Sequence, residues 1–187
     1  IVLTDGFVGQ MMEPLDLEYR EIHPPEKLWA VKGTPETRAN LVSSIYLETD
    51  ELEEHQRRME AKYIRAQEAE PRWELYNTDD ADVLLVGYGI VSRVLLSTVE
   101  ALRKEGVKAG LFRPITLWPY PSEALAKAAA KVQKVLVVEL SNGQMLEDVR
   151  LALNGKVRVE FYGRVGGNVP SVAELQQQVL ERIAVAV

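Results

Sequence analysis

From Arg72 onward, apolar runs alternate with segments of helical spacing. Val83-Leu84-Leu85-Val86 is a continuous apolar run, the pattern of a parallel strand covered on both faces. Val91, Val94, Leu95, Thr98 and Leu102 then share one helical face, and Gly106 follows as a stop signal. Val107 to Phe112 reads as the second strand of this kind, and Ser122 is placed to cap a helix through Lys131. Val135 to Val138 is the third strand. Ser141 and Gln144 fit a capping box for a helix through Leu153. Val157 to Phe161 is the fourth strand, and Ser171 with Glu174 forms another capping box for a helix through Ile183. Trp73 to Tyr76 fits a short edge strand ahead of the series. Strand and helix alternate four times, which implies right-handed crossovers and a parallel sheet with helices on both faces. The expected fold is a three-layer α/β/α domain over residues 72–187.

Upstream the pattern changes. Asp50 to Ala69 reads as a helix, with Asp50 as its cap and Glu53 three residues on. Glu53 with Arg57, and Glu54 with Arg58, are i,i+4 pairs in the favourable orientation. Leu52, Met59, Tyr63 and Ala66 form only a narrow apolar stripe, so the charge run is a solvated face, and Pro71 ends the element. Residues 1–47 show no period. Pro14, Pro24, Pro25, Gly33 and Pro35 interrupt them, and a long structureless stretch fits the tail of a further domain better than part of a compact one. Ile1-Val2-Leu3 reads as the end of a buried strand with no earlier strand supplied, so the chain is expected to be cut from a longer protein.

Composition narrows the function. The chain has 187 residues and a net charge of -6, with no Lys/Arg cluster, which disfavours nucleic acid and anionic membranes as partners. No apolar run approaches the ~20 residues of a membrane span. There are no cysteines, hence no thiol nucleophile, disulfide or thiolate-held cluster. Two histidines, His23 and His55, cannot build a three-histidine metal site. A cytoplasmic protein is expected, one whose difficult chemistry requires a cofactor or another chain.

Four motifs sit where chemistry could occur. Gly87-Tyr88-Gly89-Ile90-Val91-Ser92 lies at a strand-to-helix turn and begins like a dinucleotide fingerprint, but Ser92 replaces its third Gly. Arg113, at the end of the second strand, could read an NADP phosphate, so a free-standing nucleotide-binding oxidoreductase is the alternative to weigh; a tight βα turn explains the same glycines. Tyr162-Gly163-Arg164-Val165-Gly166-Gly167-Asn168-Val169-Pro170 precedes a helix, where backbone N–H groups could hold an anion, but it lacks a P-loop ending and fits better a shaped loop that packs against a partner. Asp79, Asp80 and Asp82 lack EF-hand spacing and read as a solvated turn. Ser141-Asn142-Gly143-Gln144 stands at the carboxyl end of a strand, but no His accompanies a Ser and no Gly-x-Ser-x-Gly elbow occurs, which argues against a hydrolase.

Several segments in order resemble the α subunit of 2-oxoacid:ferredoxin oxidoreductases. They are Leu3-Thr4-Asp5-Gly6-Phe7 with Gly9-Gln10-Met11, Ser43-Ser44-Ile45-Tyr46, Tyr88-Gly89, and Arg113-Pro114-Ile115-Thr116-Leu117-Trp118-Pro119. Glu139 with Gly143-Gln144-Met145, and Tyr162-Gly163-Arg164 with Gly166-Gly167, complete the set. Val83 to Asn142 also resembles the C-terminal domain of transketolase-like enzymes, in which an antiparallel edge strand joins four parallel ones. The resemblance implies oxidative decarboxylation of a 2-oxoacid on thiamine diphosphate with Mg, acyl transfer to coenzyme A, and electron flow through iron–sulfur clusters to ferredoxin. It implies a β subunit carrying the pyrophosphate-binding domain, and other oxidoreductase subunits, as partners. Residues 1–47 then become the tail of the pyrimidine-binding domain, residues 48–71 a linker helix, and residues 72–187 the transketolase C-terminal-like domain. The family's Tyr-Pro-Ile-Thr-Pro motif is absent, Ile115-Thr116 is not its counterpart, and no catalytic residue is carried over. The chain alone is expected to be inactive.

A parallel arrangement would gather Gly89, Arg113, Trp118, Asn142, Gln144 and Arg164 on one edge of the sheet, since each follows a strand. This edge is expected to be a docking face for the pyrimidine domain or a partner subunit. Trp118 and Arg113 are residue types that dominate interface energy. A competing role for Trp118 is to cover the helix that begins near Ser122.

Overall fold

The computed structural model describes residues 1–184. The chain forms two compact units, one of residues 1–11 with 65–187 and one of residues 12–64. The first contains a five-stranded sheet. Its strands are β1 (Trp73–Tyr76), β2 (Val83–Val86), β3 (Ala109–Pro114), β4 (Lys134–Glu139) and β5 (Arg158–Gly163), in the spatial order β1-β3-β2-β4-β5. β1 runs antiparallel to β3, and the other three pairings are parallel. The expected α/β/α architecture with an antiparallel edge strand is therefore the observed one.

Burial explains the strands. β2 and β4 are buried along their whole length, as central strands covered on both faces must be. Helices α3 (Gly89–Lys104) and α6 (Val172–Ala184) pack on one face, α4 (Ser122–Ala128) and α5 (Gln144–Leu153) on the other. Leu84, Val86, Phe112, Val135 and Val137 point to the α4–α5 layer; Val83, Leu85, Leu111, Leu136 and Val138 point to the α3–α6 layer. α3 presents Val91, Leu95, Val99 and Leu102 to its core at helical spacing. Two buried hydroxyls on the same helix are satisfied locally: Ser92 donates to the Gly89 carbonyl and Thr98 to the Val94 carbonyl. Gly106 follows the α3 cap with φ +86°, the left-handed stop expected there.

The edges of the elements differ from expectation where local rules meet nonlocal partners. β3 starts at Ala109 rather than Val107, because the Val107 N–H still donates to the Leu102 carbonyl in the turn that closes α3. α4 is shorter than expected and ends at Ala128; Pro121, not Ser122, holds its cap position, and no side chain caps it. The helix α2 (Thr49–Ala69) begins before Asp50, which lies in its first turn instead of capping it. The capping box of α6 does form, with the Glu174 N–H donating to Ser171 Oγ at 3.1 Å. Ser171→Ala is expected to cost about 1 kcal/mol, measured by denaturant unfolding; an unchanged midpoint would show that the bond contributes nothing.

Ile1-Val2-Leu3 does not form a strand. Its residues are fully or largely exposed, and the first element is a short helix, α1 (Gly6–Gln10). An apolar triplet alone does not select a strand when no neighbouring strand offers hydrogen bonds. The unit of residues 12–64 contains a 3-10 helix at Pro35–Asn40 and most of α2, and contains no buried residue. Asn40 ties its loop together by donating to the Leu28 and Ala30 carbonyls, and Tyr46 stacks on His55 at 4.6 Å between centroids.

Candidate functional site

Connections from β2 and β4 leave the sheet in opposite directions. β2 leads through α3 to β3 on one side, and β4 leads through α5 to β5 on the other. The crevice between their carboxyl ends is the topological switch point, where open α/β sheets bind ligands. It is lined by the turn Gly87-Tyr88-Gly89 and by Glu139 to Gln144.

Glu139 is the centre of this region and is 1% exposed. Its carboxylate accepts the N–H groups of Met145 at 3.1 Å and Leu146 at 3.0 Å, and the Ser141 hydroxyl at 2.7 Å. The side chain at the end of β4 thus caps α5 from outside the helix. This corrects the expected Ser141/Gln144 capping box: Gly143 holds the cap position with φ +101°, and no side chain at that position bonds to the helix. Ser141 supports the true cap instead. Burial, followed by the Glu139 charge, pushes the Tyr88 phenol up from its ordinary value. Tyr120 is pushed up further by burial and by the charges of Asp148 and Glu139. Both phenols therefore stay neutral at physiological pH. A carboxylate already accepting three hydrogen bonds, beside two neutral phenols, is a brace and not an acid–base pair.

The β2–α3 turn also carries an internal anion. Asp5 Oδ2 accepts the Ile90 N–H at 2.9 Å, at the N-terminus of α3. A dinucleotide phosphate would use this position. Arg113, the candidate reader of an NADP phosphate, is paired with Glu74 at 2.8 Å. Both observations weigh against the nucleotide-binding alternative.

The expected row of residues does share one edge. Gly89 opens α3, Arg113 lies near the end of β3, Trp118 follows in the next loop, Asn142 and Gln144 follow β4, and Arg164 follows β5. They form a row and not a cluster: β3 and β5 are three strand spacings apart, about 14 Å. Asn142 and Gln144 are exposed. Arg164 pairs with Glu174 at 3.1 Å. Trp118 is 58% exposed, and the residue that α4 buries in the core is its own Leu125. Asp80 is not simply solvated, because Arg103 holds it at 2.7 Å and lowers its pKa by that hydrogen bond. Sequence reasoning singled out Glu139 and Asp5 only within segments of resemblance and assigned neither a role.

Comparison with known proteins agrees with this architecture. Residues 81–175, just over half of the chain, match the family model of pyruvate:ferredoxin oxidoreductase core domain II. Subunit VorB of ketoisovalerate oxidoreductase from Methanothermobacter thermautotrophicus is 45% identical over 97% of this chain and 51% of its own length. The chain thus spans about half the length of the curated relatives it matches most fully. In solved structures, a 2-oxoglutarate:ferredoxin oxidoreductase from Magnetococcus marinus, with 2-oxoglutarate, coenzyme A and succinyl-CoA bound, has the same fold. Its TM-score is 0.68 at 22% identity, covering 84% of this chain and 30% of that one. A split-gene transketolase, an inactive beta4 tetramer, gives 0.51 at 19% identity over 60% of this chain and 41% of that one. By the family model that matches it, and with the sheet order and edge strand described above, the chain belongs to the pyruvate:ferredoxin oxidoreductase core domain II family, among the 2-oxoacid:ferredoxin oxidoreductases.

Proposed function

We propose that this chain is the C-terminal, subunit-organising part of the α subunit of a thiamine diphosphate-dependent 2-oxoacid:ferredoxin oxidoreductase. The complete enzyme would decarboxylate a 2-oxoacid oxidatively, form its acyl-CoA and reduce ferredoxin. One observation carries this reading: the 45% identity to VorB runs over 97% of the chain and so extends beyond the α/β domain. The same relative's name makes 2-oxoisovalerate the substrate to test first. Residues 1–47 are assigned to the tail of the pyrimidine-binding domain, residues 48–71 to a linker helix and residues 72–187 to the transketolase C-terminal-like domain. A cytoplasmic location goes with this reading; among the described residues no helix is long and apolar enough to cross a membrane.

The residues present do not fit the cofactors of that reaction. Iron–sulfur clusters need thiolates, and the chain has no cysteine. The α3 N-terminus, which has donors for a diphosphate, is taken by Asp5. The chain therefore contributes assembly and not a chemical step. Its partners would be the β subunit with the pyrophosphate-binding domain, the remaining oxidoreductase subunits and, through them, ferredoxin. The carboxyl edge bearing Gly89, Arg113, Trp118, Asn142, Gln144 and Arg164 is the proposed docking face.

Trp118→Ala in the complete enzyme tests this. Subunit association is expected to weaken about 30-fold, the effect of losing one interface hot spot, while the melting temperature of this chain shifts by less than about 2 °C. Normal association of the variant would remove Trp118 from the interface. Turnover by this chain alone, supplied with thiamine diphosphate, Mg, coenzyme A and 2-oxoisovalerate and read with a viologen dye, would overturn the assignment of a purely organising role.

A further inference from the structure

Asp5 stands outside the row of proposed docking residues, yet its carboxylate joins two distant parts of the chain. Oδ1 accepts the Val8 N–H at 2.7 Å and caps α1. Oδ2 accepts the Ile90 N–H at 2.9 Å and caps α3. Tyr88, the cap position of α3, offers no side-chain hydrogen bond of its own, so Asp5 supplies the anion that this helix end lacks locally. Gly89 permits the approach. It sits at φ +58°, and a Cβ there would lie 2.7 Å from Asp5 Oδ2. One turn along α3, Arg93 donates to Met11 Sδ at 3.7 Å and engages the far end of the segment.

We propose that the β2–α3 turn is an intrachain docking site for the segment Thr4–Met11, with Asp5 as its anchoring anion. The segment is latched to the α/β domain and is released when the anchor is lost, without unfolding the domain. Two features support release as separate from unfolding. α1 buries no residue, and Phe7 and Met11 are 49% and 45% exposed, so apolar burial does not hold the segment in place. The domain core, by contrast, is complete without it: both buried clusters draw only on residues from Tyr76 onward. The latch sets where residues 1–11 leave the domain, at the carboxyl edge of the sheet beside the switch point. It stands apart from the reaction assigned to the complete enzyme and needs no partner subunit to be tested.

Amide hydrogen exchange on the 187-residue chain reads the latch directly. Val8 and Ile90 donate to the two oxygens of one carboxylate, so they report the two halves of the contact. In Asp5→Ala both amides should exchange at least about tenfold faster, while those of Leu84–Val86 and Val135–Val138 stay within about twofold of the parent. Asp5→Asn keeps a capping oxygen and loses the charge, and should fall between the two. Gly89→Ala attacks the contact from the other side, at Oδ2, and should release Ile90 with Asp5 intact. Unchanged exchange at Val8 and Ile90 in Asp5→Ala would overturn the proposal. Equal acceleration of the β2 and β4 amides would overturn it too, since Asp5 would then be part of the fold and not a latch.

Discussion

Glu139→Ala is expected to destabilise the α/β domain by about 3 kcal/mol, combining a lost helix cap with buried donors left unpaired. The Met145 and Leu146 N–H groups lie in the buried first turn of α5, where water cannot replace the lost carboxylate oxygens. The Ser141 hydroxyl loses its acceptor at the same time. For a chain of this length the melting temperature should fall by about 6–12 °C. Glu139→Gln keeps one acceptor oxygen and should lose about half as much, because hydrogen bonds to a charged acceptor are roughly twice as strong as neutral ones. The effect should be local in origin: amides of the first turn of α5 lose exchange protection before those of β2. A melting temperature within about 1 °C of the parent would show that another group caps α5.

Glu139 also marks where sequence reasoning stops. The strands were legible because continuous apolar runs leave few alternatives to a doubly covered sheet. The α6 capping box was legible because its partners, Ser171 and Glu174, are three residues apart. The α5 cap was not, because the real acceptor lies on the preceding strand and reaches across Ser141 to Gly143 to bond Met145 and Leu146. A rule that looks three residues back finds Ser141 and stops there. Asp5 is a stronger case, since its second partner is 85 positions away. The row of docking candidates was legible for a topological reason: in a parallel sheet every strand ends on the same edge. Which of those side chains pair within the chain was not, because Glu74 reaches Arg113 only once β1 lies antiparallel to β3. Ile1-Val2-Leu3 is exposed, and an apolar triplet becomes a buried strand only where a neighbouring strand covers it.

Gly110→Val should be about as damaging as Glu139→Ala, at about 3 kcal/mol, by overpacking against backbone. A Cβ at Gly110 would lie 2.8 Å from the Asn77 carbonyl oxygen, 3.0 Å from Ala81 Cβ and 3.1 Å from Thr78 Cα. Two of these three atoms are backbone, so no side-chain rotation relieves the contact. The turn after β1 cannot retreat cheaply either. Arg103 fixes it by donating to the Asn77 carbonyl at 2.8 Å, to Asp80 at 2.7 Å and to the Ala109 carbonyl at 2.7 Å. Gly155 provides the contrast. It has φ +73° with nothing within 4 Å, so Gly155→Ala meets only the left-handed backbone penalty of about 1 kcal/mol. The coupling between Gly110 and Arg103 decides the cause. If the pinned turn makes the valine costly, the substitution should cost about 1 kcal/mol less in an Arg103→Ala background than in the parent chain. Denaturant midpoints at constant slope measure all four proteins of the cycle. Strict additivity would place the strain in the sheet itself, at Leu84 opposite Gly110 on β2, and not in the turn that Arg103 holds.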